Sequence, residues 1–248
     1  MPLYSKLRQY LFPRRLKETE PGEAYDQWSQ NYDNQPGNLM LDLDEQVCSE
    51  LLEQTQVRGK VIVDIGCGTG RHWKKITDKG PARLIGYDVS PGMLHMLLQK
   101  YPQAETQLLN DERLTDLGDG VCDLVLSTLT IAHIPRIEAA LKEWYRVLRP
   151  GGEIIITDYH PEALSRGGKR TFHNGHKLVA VRNYIHPIHK INEIAVKLQM
   201  QVIRIQERKV DDSMRPYYEQ KNAIPVFERF YGVPIIYGIH LKKTDAAE

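Results

Sequence analysis

The chain has 248 residues, of which 41% are hydrophobic and 26% charged, a composition typical of a folded globular protein with a sizeable core. Its 33 Lys and Arg balance 32 Asp and Glu, which argues against a nucleic acid or an anionic membrane surface as partner. Because the chain has no long apolar run, we expect no signal peptide and no membrane span. Because its three cysteines are scattered, we expect no disulfide framework and no bound metal. We therefore expect a cytoplasmic protein that is monomeric or homodimeric.

The first seventeen residues contain five basic residues and no acid, and their apolar residues recur at helical spacing. This pattern predicts an N-terminal helix that docks on the domain, and a membrane-surface or targeting role remains open. An aromatic-rich stretch follows at residues 25–33, between Pro21 and Pro36.

From residue 44 onward, short β-branched runs alternate with helical patterns. Asp44 is predicted to cap a helix that reaches about residue 54, because Asp is a favoured N-cap. Further helices are predicted at 90–100 and 136–148, and strands at 61–65, 84–87, 106–109, 123–126 and 153–157. Strands separated by helices of this length indicate crossover connections and a mostly parallel sheet.

The alternation breaks after residue 158. Asn174-Gly175 is the dipeptide of a type I′ turn, which predicts a β-hairpin inserted over the edge of the sheet. A helix at 188–200, strands at 201–206 and 234–241 and a polar, aromatic-rich loop between them complete the chain. We expect a single domain with four parts: an N-terminal lid (1–43), a cofactor-binding core (44–158), a hairpin and lid (159–187) and a C-terminal helix with the last two strands (188–248).

A glycine-rich loop, Asp64-Ile-Gly-Cys-Gly-Thr-Gly70, leaves the first predicted strand and opens a helix. Glycines there allow a sharp turn and let a ligand approach the backbone amides. The third glycine comes one residue earlier than in the GxGxxG of dinucleotide-binding enzymes. Asp64 would repel a pyrophosphate and attract an ammonium group, so the loop favours a zwitterionic amino-acid ligand. Asp88 ends the next strand, where a carboxylate can accept from both ribose hydroxyls.

Several ordered motifs extend this pattern: VDIGCGTG at 63–70, GYDVSPGM at 86–93, NDERL at 110–114, CDLVLS at 122–127 and E-x-x-RVLRPGG at 143–152. In these motifs the chain resembles the class I S-adenosylmethionine-dependent methyltransferases, particularly their small-molecule type 11 branch. The resemblance implies an α/β, Rossmann-like doubly wound sheet of seven strands in the order 3-2-1-4-5-7-6, with strand 7 antiparallel. It also implies S-adenosyl-L-methionine as cofactor.

The resemblance further implies a set of cofactor-binding residues on the loops after the strands. Around the methionine part these are Asp64, Gly66, Cys67, Gly68 and Gly70. Around the ribose and adenine these are Asp88, Val89, Met93, Asp111 and the backbone of Glu112, with Ser127 and Thr128 beneath the cofactor. The aromatic stretch resembles the family's N-terminal lid, which would bring Tyr25 and Tyr32 to the sulfonium, where electron-rich groups stabilise positive charge. Ordinary packing of these two side chains remains the alternative.

Methyl transfer needs an aligned nucleophile and exclusion of water, and it needs a general base only if the nucleophile must lose a proton. His160, directly after the fifth strand, and His133, after the fourth, are the candidates for that base, and a structural role remains open for each.

The acceptor is expected to be a small, apolar or aromatic molecule, methylated at O, N or C. The segment after the fourth strand lacks the Asn/Asp-Pro-Pro-Tyr pattern that grips nucleic-acid bases, while Tyr184, His186 and Tyr217 offer aromatic and polar contacts. A protein of the same fold that binds the cofactor without methyl transfer remains the alternative. An NAD-dependent oxidoreductase is disfavoured by the glycine spacing and by Asp64.

Overall fold

The structure is a computed structural model that describes residues 17–244. The basic helix predicted at the start of the chain therefore lies outside the described residues, except for Lys17.

The described chain alternates between helices and strands through most of its length. The helices are α1 (Pro21–Trp28), α2 (Leu39–Leu52), α3 (Trp73–Thr77), α4 (Pro91–Lys100), α5 (Ile137–Val147), α6 (Pro161–Ser165), α7 (Ile188–Lys197), α8 (Arg215–Gln220) and α9 (Ile224–Phe230). The strands are β1 (Glu18–Thr19), β2 (Val61–Ile65), β3 (Arg83–Asp88), β4 (Glu105–Leu108), β5 (Cys122–Thr128), β6 (Leu148–Tyr159), β7 (Thr171–Asn174), β8 (Lys177–Val181), β9 (Met200–Lys209) and β10 (Pro234–Lys243).

Seven strands form the main sheet in the order β4-β3-β2-β5-β6-β10-β9. Its first five strands are parallel, and β10 runs antiparallel to both β6 and β9. When only the seven strands of this sheet are numbered in chain order, β2 is strand 1 and β10 is strand 7. The order is then 3-2-1-4-5-7-6 with strand 7 antiparallel, which confirms the expected fold.

Hydrophobic side chains cover both faces of this sheet, as expected where parallel strands are buried on both sides. On one face, α5 and α7 pack their apolar stripes against the strands, with Leu141 and Trp144 fully buried. On the other face, α2 and α9 do the same, with Leu51 and Phe227 buried. The carboxyl ends of the parallel strands are left for the loops that build the site.

Helix α2 begins earlier than predicted, and the assignment of Asp44 as its N-cap is wrong. Asn38 is the cap, since its Oδ1 accepts from the Met40 and Leu41 amides at 3.2 and 3.4 Å. Asp44 lies inside the helix, fully buried, and binds Arg71, His72 and Thr157. Burial alone would raise the pKa of Asp44, but Arg71 and then His72 hold it below its usual range. The carboxylate therefore ties α2 to the loop before α3.

The predicted hairpin forms, with Gly175 in its turn at φ +59°. It does not extend the main sheet, as β8 pairs instead with β1 in a separate three-stranded sheet. Its Phe172 ring stacks on Trp28 of α1 with ring centroids 4.5 Å apart. The hairpin thus holds the aromatic N-terminal helix, a pairing that local patterns cannot reveal.

Short helices occupy two segments in which no helix was predicted. One is the single turn α6, and the other is the pair α8 and α9, which fill most of the stretch between β9 and β10. Between residues 17 and 244, no helix is both long and apolar enough to cross a membrane.

Candidate functional site

Two cavities open near the carboxyl ends of the parallel strands. The first, about 460 Å³, is called here the glycine-loop cavity, and its lining includes Gly66, Gly68, Asp88, Tyr25 and His133. The second, about 430 Å³, is called the aromatic cavity, and its lining includes Trp28, Tyr159, Tyr217, Tyr218 and Phe230. Tyr32 and Leu129 line both. The two cavities therefore adjoin.

The glycine loop turns with three residues at positive φ: +71° at Gly66, +54° at Gly68 and +73° at Gly70. A Cβ at Gly66 would lie 2.0 Å from Thr130 Oγ1, and one at Gly70 would lie 3.2 Å from Leu97, so both are packed by protein. A Cβ at Gly68 would meet nothing within 4 Å. The loop is thus held from behind, with open space at Gly68 for a ligand to approach the backbone.

Asp88, at the end of β3, lines the same cavity and closes the glycine loop. Its Oδ2 accepts from the Gly68 amide at 2.8 Å and its Oδ1 from the Ser90 amide at 2.9 Å. Burial raises the pKa of Asp88 to about 6, against the lowering effect of these amides. Each carboxylate oxygen retains a further acceptor position. Asp88 can therefore accept from two hydroxyl groups of one ligand.

Asp64, at the start of the loop, is buried and does not line either cavity. Its Oδ2 accepts from Trp73 Nε1 at 2.8 Å, while its Oδ1 has no hydrogen-bond partner among the described residues. Burial raises the pKa of Asp64 to about 6, although the Trp73 bond lowers it. A buried acceptor without a donor is costly, so this oxygen suits an ammonium group or a bridging water next to the loop.

The other residues predicted to contact the cofactor divide between the cavity wall and the layer behind it. Of these, the cavity is lined by Val89, Met93, Asp111, Glu112 and Thr128. Behind the wall lie Gly70, Cys67 and Ser127, which do not line either cavity. Burial raises the pKa of the Cys67 thiol well above its usual range, which leaves it an inert thiol.

Two acids at the far end of the glycine-loop cavity are already paired. Asp111 accepts from Arg113 at 2.8 and 3.0 Å, and Glu112 accepts from Arg136 Nε at 3.1 Å. The pKa values of both carboxyls are lowered by these arginines. They remain ionised acceptors at the place where the resemblance puts the adenine edge.

At the other end of this cavity, Tyr25 belongs to a buried polar network. Its hydroxyl lies 3.0 Å from His133 Nε2. His133 Nδ1 lies 2.7 Å from the Arg182 carbonyl oxygen, and a carbonyl can only accept, so Nδ1 carries the proton and Nε2 is an acceptor. Burial, and then the charge of Arg170, hold the pKa of His133 well below its usual range. The ring is therefore neutral.

Arg170 is the centre of this network and was not predicted from the sequence. One of its terminal nitrogens donates to the Tyr25 hydroxyl and the Leu129 carbonyl, and the other donates to Asp158 Oδ1 at 3.2 Å. Arg170 is 5% exposed and Asp158 is fully buried. Arg170 follows the glycines before the hairpin. An exposed arginine is as common in such a segment as a buried one, so no pattern in the sequence identifies Arg170 as part of a buried network.

The remaining candidates from the sequence are dispersed. His160 lines neither cavity: its Nδ1 accepts from the Glu162 amide at 3.1 Å, capping α6, and its Nε2 lies 3.0 Å from Glu207. His186 lines neither cavity and binds the Ile134 carbonyl at 2.8 Å. Tyr184 lines the glycine-loop cavity, and Tyr217 lines the aromatic one. Within residues 17–244, no group of three or more His, Cys, Asp or Glu is placed to hold a metal ion.

Comparisons with known proteins concern the domain that carries this site. Residues 63–156 match a methyltransferase domain family. An uncharacterized methyltransferase of Emericella nidulans is 29% identical over 246 residues, covering 81% of this chain and 84% of that protein. A malonyl-[acyl-carrier protein] O-methyltransferase of Serratia marcescens is 36% identical over 110 residues, which are 44% of this chain and only 42% of that protein.

A solved structure shares the fold. The S-adenosylmethionine-dependent methyltransferase from Mesorhizobium loti has a TM-score of 0.62 and 17% identity, over 79% of this chain and 96% of that chain. The matched domain contains the glycine loop and Asp88, and the sheet has the strand order that these motifs imply. Residues 63–156 thus form a methyltransferase domain, and the chain has the fold of the class I S-adenosylmethionine-dependent methyltransferases.

Proposed function

We propose that the protein transfers the methyl group of S-adenosylmethionine, bound in the glycine-loop cavity, to a small molecule bound in the aromatic cavity. The observation that carries this proposal is the shared boundary: Tyr32 and Leu129 line both cavities. In this proposal the donor in one cavity and the acceptor in the other meet at that boundary, because a displacement reaction requires the two reacting atoms to be adjacent and aligned.

The residues present fit the cofactor. Gly68 leaves its backbone open to a ligand, and Asp88 offers free acceptor positions on both oxygens. The unpartnered Oδ1 of Asp64 lies behind the cavity wall, where a bridging water would link it to an ammonium group. When bound, S-adenosylmethionine supplies an electrophilic methyl carbon on a positively charged sulfur. The protein has to hold that group, orient the acceptor and keep water out.

In this proposal, Tyr25 and Tyr32 orient the positively charged sulfur of the methyl donor. Their rings lie 6.2 Å apart at the end of the glycine-loop cavity that adjoins the aromatic cavity. Aromatic faces and phenol oxygens stabilise nearby positive charge. Arg170 and His133 fix the Tyr25 hydroxyl, so its oxygen lone pairs have a defined direction.

The lid that carries these tyrosines is fastened at two points. Asp26 of α1 accepts from the Ser90 hydroxyl and, at 2.8 Å, from the Gly92 amide at the start of α4. Trp28 stacks on Phe172 of the hairpin. We infer that α1 excludes water from the reacting end of the cavity.

Neither histidine candidate acts as a general base in this proposal. His133 is neutral and buried, and its one Nε2 lone pair is already engaged, so it is a weak proton acceptor and positions Tyr25. His160 lies away from both cavities and caps α6.

The test measures S-adenosylhomocysteine release from S-adenosylmethionine with a panel of small acids, phenols and amines, and measures S-adenosylhomocysteine binding by calorimetry. We expect the wild-type protein to bind the product and to turn over at least one acceptor. Asp88→Ala, with unchanged circular dichroism, should lose both. Binding without turnover of any acceptor would favour a non-methylating protein of this fold, and absence of binding would refute the proposal.

A further inference from the structure

The charges and bases around the two cavities narrow the class of acceptor. Resting on the proposed function, we propose that the acceptor is a carboxylic acid with an aromatic or aliphatic body, and that its ionised carboxylate oxygen receives the methyl group.

The lining of the aromatic cavity is basic. It contains the side chains of Lys169, Arg170, Lys221 and Arg229, and none of its lining residues in the described chain is Asp or Glu. Its other side chains are mostly apolar, and they include the aromatic rings of Tyr32, Tyr159 and Phe230. A volume of about 430 Å³ with this lining suits an organic anion with an apolar body.

Two of these cations are neutralised by acids outside the lining. Arg170 pairs with Asp158 at 3.2 Å, and Lys169 pairs with Glu18 at 2.9 Å. The Arg170 pair is buried and the Lys169 pair is at the surface, and each leaves little net charge for a ligand.

The other two cations lack an acidic partner. Across residues 17–244, no carboxylate lies within salt-bridge distance of Lys221 or Arg229, and both side chains are exposed at the rim. Arg229 donates to the Arg166 carbonyl and lies 5.4 Å from the centre of the Phe230 ring, which holds it beside the cavity. Asp42 is the acid next to this lining, and it accepts a hydrogen bond from the Tyr217 hydroxyl at 2.9 Å. The rim therefore carries a net positive charge that would attract an anion.

The cavities also lack a free base. Among the described lining residues, His133 is the only histidine, and its single Nε2 lone pair is already engaged, with the Tyr25 hydroxyl at 3.0 Å and an Arg170 nitrogen at 2.7 Å. The acids that line the glycine-loop cavity are engaged as well: Glu20, Asp111 and Glu112 with arginines, and Asp88 with backbone amides. Once the cofactor's hydroxyl groups take the remaining acceptor positions of Asp88, a phenol or an ammonium group would have no free protein base beside it to accept its proton.

A carboxylate needs no such acceptor, since an ordinary carboxyl group is ionised above about pH 5. One oxygen lone pair forms the new bond to the methyl carbon, while the carbon–sulfur bond breaks and its electron pair stays on sulfur. The products are a neutral methyl ester and the neutral thioether S-adenosylhomocysteine. No proton is released, whereas methylation of a phenol or of an ammonium group releases one proton per turnover.

The experiment uses this difference in proton balance. The full chain is supplied with S-adenosylmethionine and with 3-phenylpropanoate, 3-phenylpropanamide, 4-ethylphenol or phenethylamine as acceptor probes. Mass spectrometry measures S-adenosylhomocysteine, and a pH indicator in weak buffer measures protons. We expect turnover of the acid alone, without proton release, and calorimetric binding of the acid to the complex with S-adenosylhomocysteine.

Charge variants test the rim. Lys221→Gln with Arg229→Gln should raise the KM for the acid several-fold, about 3- to 10-fold at low salt, with less effect at high salt. Calorimetric affinity for S-adenosylhomocysteine should not change. Lys74→Gln, an exposed lysine paired with Asp78 on α3, is the matched control and should leave KM unchanged.

The outcomes separate the two proposals. Turnover of the phenol or the amine with one proton released per S-adenosylhomocysteine would overturn the carboxylate inference and leave the methyltransferase proposal standing. An unchanged KM in the double variant would overturn the role of the rim charges. Product binding with no turnover of any probe would overturn both.

Discussion

Removal of the Arg170 guanidinium should destabilise the protein far more than removal of a surface arginine. Arg170→Met keeps much of the apolar stem and leaves Asp158 fully buried without its cation. It also removes the donor to the Leu129 carbonyl and to the Tyr25 hydroxyl. Breaking a buried ion pair by removing one partner typically costs about 3–5 kcal/mol.

The cost has an upper limit because Asp158 can take up a proton. Burial already raises the pKa of Asp158 while Arg170 lowers it, so the variant will have a higher value still. Keeping the group ionised then costs about 1.4 kcal/mol for each unit by which its pKa exceeds the pH. A raised carboxyl pKa means that the folded state binds the proton, so the deficit of the variant should shrink as the pH falls.

Urea unfolding of four proteins measures this effect: wild type, Arg170→Met, Asp158→Asn and the double variant. We expect the double variant to recover at least about 1 kcal/mol relative to Arg170→Met, since no unpaired charge remains. Arg83→Met, which removes an exposed pair with Glu105, is the control and should cost less than about 1 kcal/mol. A loss below about 1 kcal/mol in Arg170→Met, with no recovery in the double variant, would refute the buried-pair reasoning.

Further predictions concern the glycine loop, the cofactor carboxylates and the first helix of the core. Gly66→Ala should lose at least about 1 kcal/mol more in urea unfolding than Gly59→Ala, because both residues have φ near +70° but only Gly66 lacks room for a Cβ. Below about pH 6, where Asp88 and Asp64 become protonated, the calorimetric affinity for S-adenosylhomocysteine should fall by up to about 10-fold per pH unit. The Asp88→Asn variant should show a flatter dependence of affinity on pH. A wild-type affinity that does not change with pH would count against both carboxylates. Asn38→Ala should cost about 1 kcal/mol of stability, and no change would contradict its capping role.

The sequence was sufficient to predict the main sheet because each of its signals is local. A buried run of β-branched residues specifies β2, the Ser90-Pro91 pair starts α4, and the motifs that follow the strands carry the strand order of the family. Ser90 does cap α4, accepting from the Met93 amide at 3.1 Å. The helix start at Leu39 was missed because Asn38 and Asp44 are both good caps in isolation, and only the tertiary partners of Asp44 decide between them.

The cofactor side of the site was also predictable in outline, because backbone geometry restricts the residue types there. Positive φ demands glycine at residues 66 and 68, and a carboxylate at 88 closes the loop on its amide. The network of Tyr25, His133, Arg170 and Asp158 was not predictable, since its members lie up to 145 residues apart and any one of them could be an ordinary surface or core residue.

This contrast limits what the matched methyltransferase domain can say about the acceptor. The matched segment, residues 63–156, contains most of the glycine-loop cavity but contributes only Leu129 to the aromatic cavity. Most of its other lining residues come from α1, α2, the segment around the hairpin, and α8 with α9. The backbone geometry of these segments does not restrict which side chains line the cavity. The donor is therefore identified by the residues that define the family, whereas the acceptor must be inferred from the charge and chemistry of this chain's own segments, as Lys221 and Arg229 illustrate.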